Sequence, residues 1–184
     1  DGTTDYAPPD FACELDEMPA FDPGIVDYRR YFDAGGMVNL QTKRGCPYRC
    51  VYCNYPALEG RQYRLKDPTI CVDEIERTMG QTGRKDFFFA DSVFNVPETH
   101  AAAIADEIKR RQLDIRWMAY ANPIGLDREQ VARFKDAGCV GLELGLDAVT
   151  EKMIEKMGKC FSQDQVAQAC TALREGGLPF AVFL

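Results

Sequence analysis

Strand-like and helical segments alternate along this chain from residue 37 onward, and this alternation constrains the fold more than any other feature. Five segments have the composition of strands: MVNLQT, KDFFFADS, DIRWMAYAN, CVGLELGL and PFAVFL. Helical patterns lie between them, and strands joined by helical crossovers pair in parallel. The runs FFFA and AVFL are apolar on both faces, as strands buried on both sides are. The alternation predicts an α/β fold on a parallel sheet or barrel, with its strands side by side in sequence order.

The segments between the strands carry the start and stop signals of helices. Asp127 and Gln130 have the spacing of a capping box, and Ser162 and Gln165 repeat it before a later helix. Gly138 stands where the first of these helices has to stop before the next strand. These signals place helix boundaries independently of the apolar pattern.

The chain divides into two parts by composition. Residues 1–36 read as a linker or N-terminal extension, because four prolines interrupt regular structure there: Pro8, Pro9, Pro19 and Pro23. Residues 37–184 read as the core domain. The last strand is followed by neither a turn nor a helix, so we expect a core that is incomplete at its C-terminus, truncated after the fifth strand.

Composition excludes several classes of protein. Apolar residues make up 46% of the 184 positions and charged residues 28%, as in globular domains. The net charge of −7 argues against a nucleic-acid partner, and no apolar run is long enough to span a membrane. The first residues lack the pattern of a signal peptide, so we expect a cytoplasmic protein with free thiols. Five scattered cysteines are then dispensable for any metal site: Cys13, Cys71, Cys139, Cys160 and Cys170.

Three further cysteines are clustered in the segment GCPYRCVYC, with the spacing C-x3-C-x2-C at Cys46, Cys50 and Cys53. A structural zinc site needs four ligands, and the single histidine, His100, lies in another predicted helix. Three thiolates on a four-iron cube instead leave one iron without a protein ligand, which is a vacancy for a small molecule. The zinc alternative, and three buried cysteines without a role, stay open on the residues alone.

The motif, with Tyr52 just before its last cysteine, resembles that of the radical S-adenosylmethionine (SAM) superfamily. The resemblance implies a partial (β/α)6 barrel and a [4Fe–4S] cluster held by the three cysteines. It also implies that SAM chelates the fourth iron through its amino and carboxylate groups. One electron from the cluster then cleaves SAM to methionine and a 5′-deoxyadenosyl radical, which abstracts hydrogen from a substrate.

The same resemblance extends, with less specific motifs, to other candidate SAM contacts. The segment FFFADSVFN is similar to the family's motif after the second strand, which implies Asp91 and Ser92 as contacts of the amino group. The alternative is that either residue caps the next helix. Asn122 follows the third strand, and with Cys46, Asp91 and Glu143 it is expected at or just past the C-terminal ends of the strands.

Two candidates come from the segment VGLELGLDAVTEKMIEKMGKCFS, which resembles the family's G-x-E-x-G stretch. Glu143 is a lone carboxylate in an apolar strand, and such a group is costly without a partner. The resemblance implies that it contacts the ribose or amino group of SAM. Lys159 is a candidate for the carboxylate of SAM, and the alternative is a solvated helix end.

Basic residues crowd the cysteine motif, and only Glu59 opposes them between residues 43 and 66. An iron–sulfur cube with three thiolates is anionic, so neighbouring cations stabilise it. The alternative is a charged surface that keeps the chain soluble. The residues are Lys43, Arg44, Arg49, Arg61, Arg64 and Lys66.

The branch of the family is suggested by the lead-in CELDEMPAFDPGIVDYRRYF and by the stretch around Glu143 and Lys159. Both are similar to the branch in which a cobalamin-binding domain precedes the radical domain, so cobalamin is a possible further cofactor, bound by a domain absent from this chain. A radical SAM enzyme is therefore expected, and the shared core leaves open whether it is a cobalamin-dependent methyltransferase, a methylthiotransferase or a ring-forming enzyme. The alternative outside the enzymes is a non-catalytic metal-binding module. A flavodoxin or ferredoxin is the expected electron donor, and the substrate, a small molecule or peptide, is not identified.

Overall fold

The computed structural model describes residues 11, 14–19, 22, 25 and 27–184. Of the predicted linker over residues 1–36, residues 1–10, 12, 13, 20, 21, 23, 24 and 26 lie outside the described residues, and Cys13 is among them. Within them, a short 3-10 helix spans Leu15–Glu17 and helix α1 spans Tyr28–Asp33. No helix in the described ranges is long and apolar enough to cross a membrane.

The core of the fold is a parallel five-stranded sheet with the order β1-β4-β5-β6-β7. The five predicted strands are therefore confirmed, and they lie side by side in sequence order. Their bounds are β1 Val38–Leu40, β4 Asp86–Phe89, β5 Arg116–Ala121, β6 Cys139–Gly145 and β7 Phe180–Phe183.

Helices connect consecutive strands of this sheet, as parallel pairing requires. Ser162 and Gln165 form both hydrogen bonds of the predicted capping box, and Asp127 accepts a hydrogen bond from the backbone N–H of Gln130. The helices are α3 Pro68–Thr82, α4 Glu98–Arg110, α5 Arg128–Asp136, α6 Glu151–Lys156 and α7 Gln163–Glu175.

One small unit was not predicted from the sequence. Strands β2 (Lys43–Arg44) and β3 (Arg64–Leu65) pair antiparallel, and helix α2 (Tyr55–Glu59) lies between them. Two-residue strands are too short to show an apolar period, so no pattern marked them. This hairpin brackets the segment that carries the three clustered cysteines.

The two faces of the sheet differ in burial. Phe89, Trp117 and Leu142 are fully buried on the face that packs against the helices. Phe89 stacks on Phe94 with ring centroids 4.6 Å apart, and Trp117 packs edge-on against Phe134. Such aromatic pairs add about 0.5–1.5 kcal/mol each beyond the area they bury. This face is the hydrophobic core of the domain.

The other face, named here the open face, carries Tyr120, Glu143, Gly145, Ala181 and Phe183. Tyr120 pairs in register with Glu143, and Glu143 pairs with Ala181 on the next strand. Tyr120 is 42% exposed and Phe183 is 50% exposed. The open face therefore leads to solvent, and the functional site lies at its C-terminal edge.

Candidate functional site

A pocket of about 420 Å³ lies where the C-terminal ends of β5, β6 and β7 meet the cysteine loop, defined as residues 45–60. The three clustered cysteines line it together with six aromatic and five polar or charged side chains. The aromatic ones are Tyr48, Tyr52, Tyr55, Tyr120, Phe161 and Phe183, and the others are Asp91, Ser92, Asn122, Asp147 and Lys159. A larger surface groove of about 540 Å³ lies along α7 near the start of α5, and no cysteine lines it.

Backbone contacts fix the cysteine loop at its ends and near its middle. The Cys46 N–H donates to the Gly60 carbonyl at 3.0 Å, and the Val51 N–H donates to the Met157 carbonyl at 3.0 Å. Gly45 has a φ of +89°, and a Cβ there would lie 2.0 Å from the Gln62 carbonyl oxygen. Glycine is therefore required directly before the first cysteine, where two backbone segments touch.

Burial affects the chemistry of the thiols. It raises the pKa of Cys46 and of Cys50, and neighbouring thiolates raise both further, whereas Lys159 acts against the rise at Cys50. Without a metal these two thiols hold their protons at neutral pH, and metal binding has to release them. The seven cysteines within the described part of the chain are all free of disulfides.

The three cysteines do not form a site for one ion. Among the described residues, no group of three or more His, Cys, Asp or Glu side chains converges on a single metal position. A four-iron cube differs from a single ion, because its cysteine ligands bind different iron atoms and do not have to meet at one point. The spacing of the motif therefore remains suited to a cluster.

Asp91 is fully buried, and its carboxylate is already saturated by nearby donors. Its Oδ1 accepts from the Thr42 N–H at 2.7 Å, and its Oδ2 accepts from the Thr42 hydroxyl at 2.5 Å. The Lys43 N–H also donates to Oδ1, and the Lys43 ammonium lies 3.8 Å from Oδ2. Neither Asp91 nor Ser92 caps a helix, since α4 begins only at Glu98.

Ser92 and Asn122 both line the pocket and tie its walls together. The Ser92 hydroxyl donates to the Gly45 carbonyl at 3.2 Å. The side-chain oxygen of Asn122 accepts from the Ile124 N–H at 2.9 Å, and its side-chain nitrogen donates to the sulfur of Cys160 at 3.0 Å. Asn122 is 6% exposed, so its orientation is fixed by these contacts.

Lys159, Asp147 and Tyr52 form one network at the mouth of the pocket. The Lys159 ammonium donates to the Tyr52 hydroxyl at 2.5 Å, to the Gly145 carbonyl at 3.1 Å and to the Asp147 carboxylate. The Tyr52 hydroxyl donates to the same carboxylate at 2.5 Å. The Lys159 side chain is 4% exposed, so it is not a solvated helix end.

These contacts shift the two acidic groups in opposite directions. Burial raises the pKa of the Tyr52 hydroxyl, and the adjacent Asp147 carboxylate raises it further. Burial alone would raise the pKa of Asp147, but hydrogen bonds from Lys159 and Tyr52 outweigh it and leave that pKa below its ordinary value. The network therefore holds an ionised Asp147 beside a neutral Tyr52.

Glu143 lies inside strand β6, on the open face next to Tyr120, two positions before pocket-lining Gly145. It is half-buried, and its carboxylate makes no hydrogen bond or ion pair with any residue in the described ranges. It stands at the same edge of the sheet as the cysteine loop but does not itself line the pocket. An uncompensated, half-buried carboxylate beside a pocket is suited to a ligand donor.

The predicted basic cluster is divided between several partners. Lys43 is fully buried and donates to the Phe94 carbonyl, and Lys66 pairs with Glu74 at 2.8 Å. Arg49 and Arg61 are exposed and line a small cavity behind Cys50 and Cys53. These two arginines therefore place positive charge behind the cysteine loop, while Arg64 donates to the Glu59 carbonyl within it.

Comparison with known protein families decides the assignment. Residues 40–184 match the family model described as the radical SAM superfamily. The chain belongs to the radical SAM superfamily.

Several radical SAM relatives are similar to this chain. It is 33% identical over 142 residues to the tryptophan 2-C-methyltransferase of Streptomyces laurentii, which covers 73% of this chain and 24% of that protein. It is 26% identical over 176 residues to the anaerobic magnesium-protoporphyrin IX monomethyl ester cyclase of Cereibacter sphaeroides, which covers 91% of this chain and 29% of that one. The chain therefore spans about a quarter to a third of these relatives.

A solved radical SAM structure extends the similarity to the fold. The methyltransferase TsrM of Kitasatospora setae, solved with cobalamin and a [4Fe–4S] cluster bound, superposes with a TM-score of 0.78 at 29% identity. The match covers 90% of this chain and 34% of that one. The predicted partial barrel, and the resemblance to the cobalamin-dependent branch, are thereby confirmed.

Sequence reasoning missed several residues that line this pocket. Asp147 lies two residues past the end of β6 and has a positive φ of 55°, and no local pattern in the sequence marks it as part of the site. Cys160 was counted among the scattered cysteines although it is adjacent to Lys159. Tyr48 and Tyr120 had no signal, because a tyrosine in a loop or strand is common in any core or surface.

Proposed function

We propose that this chain is the core of a radical SAM enzyme, in which Cys46, Cys50 and Cys53 hold a [4Fe–4S] cluster and the adjoining pocket binds SAM. One observation carries the proposal: the three thiols of an intact motif line a single pocket at the C-terminal edge of a parallel sheet. Barrel enzymes place their chemistry at that edge. The pocket volume, about 420 Å³, is within the usual range for a small-molecule site.

The residues present suit the cluster. The three thiols lie on one short loop that is fixed by backbone contacts, and all three are partly or fully shielded from water. The exposed Arg49 and Arg61 lie behind the loop and favour an anionic group there. When bound, such a cluster would supply the electron for the reductive cleavage of SAM.

The remaining residues in and beside the pocket bind and orient SAM in this proposal. Ser92 and Asn122 offer polar groups to its amino acid part, and Glu143 offers an unpaired carboxylate to its ribose or amino group. Tyr52 and Lys159 close one side of the pocket through Asp147. Asp91 acts indirectly in this proposal. Its carboxylate accepts from the backbone of Thr42 and Lys43, which lie just before the cysteine loop and so fix where the loop begins.

For the protein as a whole, we propose a cobalamin-dependent methyltransferase, with residues 37–184 as its radical domain and residues 1–36 as the segment leading into it. The similarity to two methyltransferases, one of them solved with cobalamin, supports this assignment. The similarity to a cyclase keeps a ring-forming reaction as the second candidate. A one-electron donor such as a flavodoxin or ferredoxin is required, and a reducing cytoplasm is the proposed location.

Anaerobic reconstitution with iron and sulfide tests the cluster. We expect about four irons per chain and broad brown absorption. Cys46→Ala, Cys50→Ala and Cys53→Ala should each abolish the cluster, whereas Cys139→Ala, which removes a buried thiol outside the pocket, should retain it. One tightly held zinc ion in place of the irons would contradict the proposal and support a structural metal-binding module.

The type of reaction needs a separate measurement on the whole protein. With SAM that carries a labelled methyl group, transfer of the label to cobalamin supports the methyltransferase. SAM cleavage without any methyl transfer would contradict it and favour the ring-forming candidate.

A further inference from the structure

A fourth cysteine faces the cluster pocket. Cys160 follows α6, is half-buried, and lines the same pocket as Cys46, Cys50 and Cys53. It lies next to Lys159 in the chain but belongs to no part of the C-x3-C-x2-C motif. The described cysteines outside the motif are Cys71, Cys139, Cys160 and Cys170, and among them only Cys160 reaches this pocket.

The sulfur of Cys160 is an acceptor of hydrogen bonds. The Asn122 amide donates to it at 3.0 Å, and the hydroxyl of Tyr48 makes a second hydrogen bond to it. The Asn122 side chain is itself held in place, because its amide oxygen accepts from the Ile124 N–H. The backbone N–H of Asn122 donates to the side-chain oxygen of Asn95. Burial raises the pKa of the Cys160 thiol, and the hydrogen bonds from Asn122 and Tyr48 act against that rise. The geometry leaves the sulfur as an acceptor, as hydrogen bonds to the sulfurs of iron–sulfur sites do.

A cysteine that only fills space behaves differently in the same molecule. Cys139 is buried in the core, and its thiol donates to the Gly141 carbonyl at 3.5 Å. That sulfur acts as a weak donor toward the backbone and does not line the cysteine pocket. The Cys160 sulfur instead accepts hydrogen bonds, and its other side faces the pocket. Packing alone does not account for that arrangement.

We propose that Cys160 is a displaceable fourth ligand of the cluster, which occupies the iron left open by the motif until SAM arrives. This inference rests on the proposed function. The thiol releases a proton to solvent as its sulfur binds the iron. When the amino and carboxylate groups of SAM take that iron, the sulfur leaves and regains a proton, and no electron is transferred in either step.

The exchange has a consequence for affinity. SAM has to displace the Cys160 sulfur before it can bind the iron, so part of its binding energy is spent on the exchange. Removing the sulfur should tighten SAM binding without loss of the cluster, since the three motif thiolates suffice to hold it. In return, Cys160 shields the open iron while SAM is absent.

Three variants test the inference: Cys160→Ala, Cys160→Ser and the control Cys170→Ala, which removes a half-buried thiol on α7 away from the pocket. Each is reconstituted anaerobically, and its iron content, its reduced-cluster EPR spectrum and its SAM affinity are measured. We expect parental iron content in all three variants. Both Cys160 variants should differ from the parent in the spectrum without SAM, match it at saturating SAM, and bind SAM about ten-fold more tightly.

The outcomes separate this inference from the proposed function. Loss of the irons in the Cys160 variants alone would make Cys160 a permanent ligand and overturn it. Either an unchanged spectrum without SAM or an unchanged or weaker affinity would also overturn it. If the parent itself assembles no four-iron cluster, the proposed function fails first. Cys170→Ala has to behave as the parent in every measurement for the comparison to count.

Discussion

Two lysine–aspartate pairs lie beside the cysteine loop, and they differ in burial. Lys43 and Asp91 have fully buried side chains, with 3.8 Å between the ammonium and the nearest carboxylate oxygen. Lys159 is 4% exposed and Asp147 is 33% exposed, and their charged atoms are in direct contact. The first pair is cut off from solvent, whereas the second lies at the mouth of the pocket.

The partners of each pair explain the difference. Lys43 also donates to the Phe94 carbonyl, and Asp91 also accepts from Thr42, so backbone groups satisfy the buried charges. The outer pair instead joins the cysteine loop, through Tyr52, to the end of β6. A saturated buried pair holds the fold in one arrangement, while a pair at a pocket mouth is free to respond to a ligand.

The largest effect is expected from Asp91→Ala. It leaves the Lys43 ammonium buried without its counter-charge, which typically costs about 3–5 kcal/mol of unfolding free energy. Asp86→Ala is the matched control, because Asp86 begins β4, the strand that leads to Asp91, and forms an exposed pair with Arg116. We expect it to cost about 1 kcal/mol or less. Urea unfolding of the parent and both variants without iron measures the two losses of unfolding free energy. Equal losses would mean that the buried Lys43–Asp91 pair stabilises the fold no more than the exposed Asp86–Arg116 pair does.

The sequence predicted the order of the strands but not these pairs. The alternation of apolar strands and capped helices is local, so it was readable at Ser162 and Gln165 without a structure. The hydrogen-bond partners of Asp91 are 48 and 49 positions away in the chain, at Lys43 and Thr42. A sequence shows a carboxylate after a strand, but only the folded corner shows that its oxygens are already occupied.

The cysteine motif was readable from the sequence and Asp147 was not, because the two differ in how far apart their partners lie along the chain. Cys46, Cys50 and Cys53 lie within one loop, so their spacing alone specifies the ligand set. Asp147 becomes part of the site through Tyr52, which is 95 positions away. Contacts of that range depend on the packing of the sheet, and no local pattern encodes them.

Glu143 extends the comparison to a carboxylate that has no lysine partner among the described residues. Glu143→Gln should fold, keep its cluster and bind SAM about ten- to a hundred-fold more weakly, since a charge-assisted hydrogen bond contributes about 1.5–3 kcal/mol. SAM titration and melting temperatures of parent and variant measure the two effects together. Unchanged affinity with a lowered melting temperature would remove Glu143 from the site and make its role structural.

Lys159→Met should reduce stability less than Asp91→Ala does, and SAM affinity less than Glu143→Gln does. It removes the ammonium but leaves Asp147 able to reach water, so we expect about 1 kcal/mol of lost stability and a several-fold weaker SAM affinity. Lys156→Met, on the exposed face of α6, is the matched control and should change neither quantity. A loss of stability as large as that of Asp91→Ala would show that the outer pair also holds the fold.

The smallest effect is the pH dependence of the outer pair, tested with Asp147→Asn. Lys159 and Tyr52 hold the pKa of Asp147 below its ordinary value of 3.8. The unfolded chain therefore takes up the proton before the folded one as the pH falls. The stabilisation by Asp147 is complete above about pH 4 and is lost as the pH drops through the lowered pKa. The free-energy difference between parent and variant should be about 1 kcal/mol or less at neutral pH. It should shrink toward zero in acid, as urea unfolding at several pH values would measure. A difference that stays constant with pH would mean that the outer pair contributes through shape and not through charge.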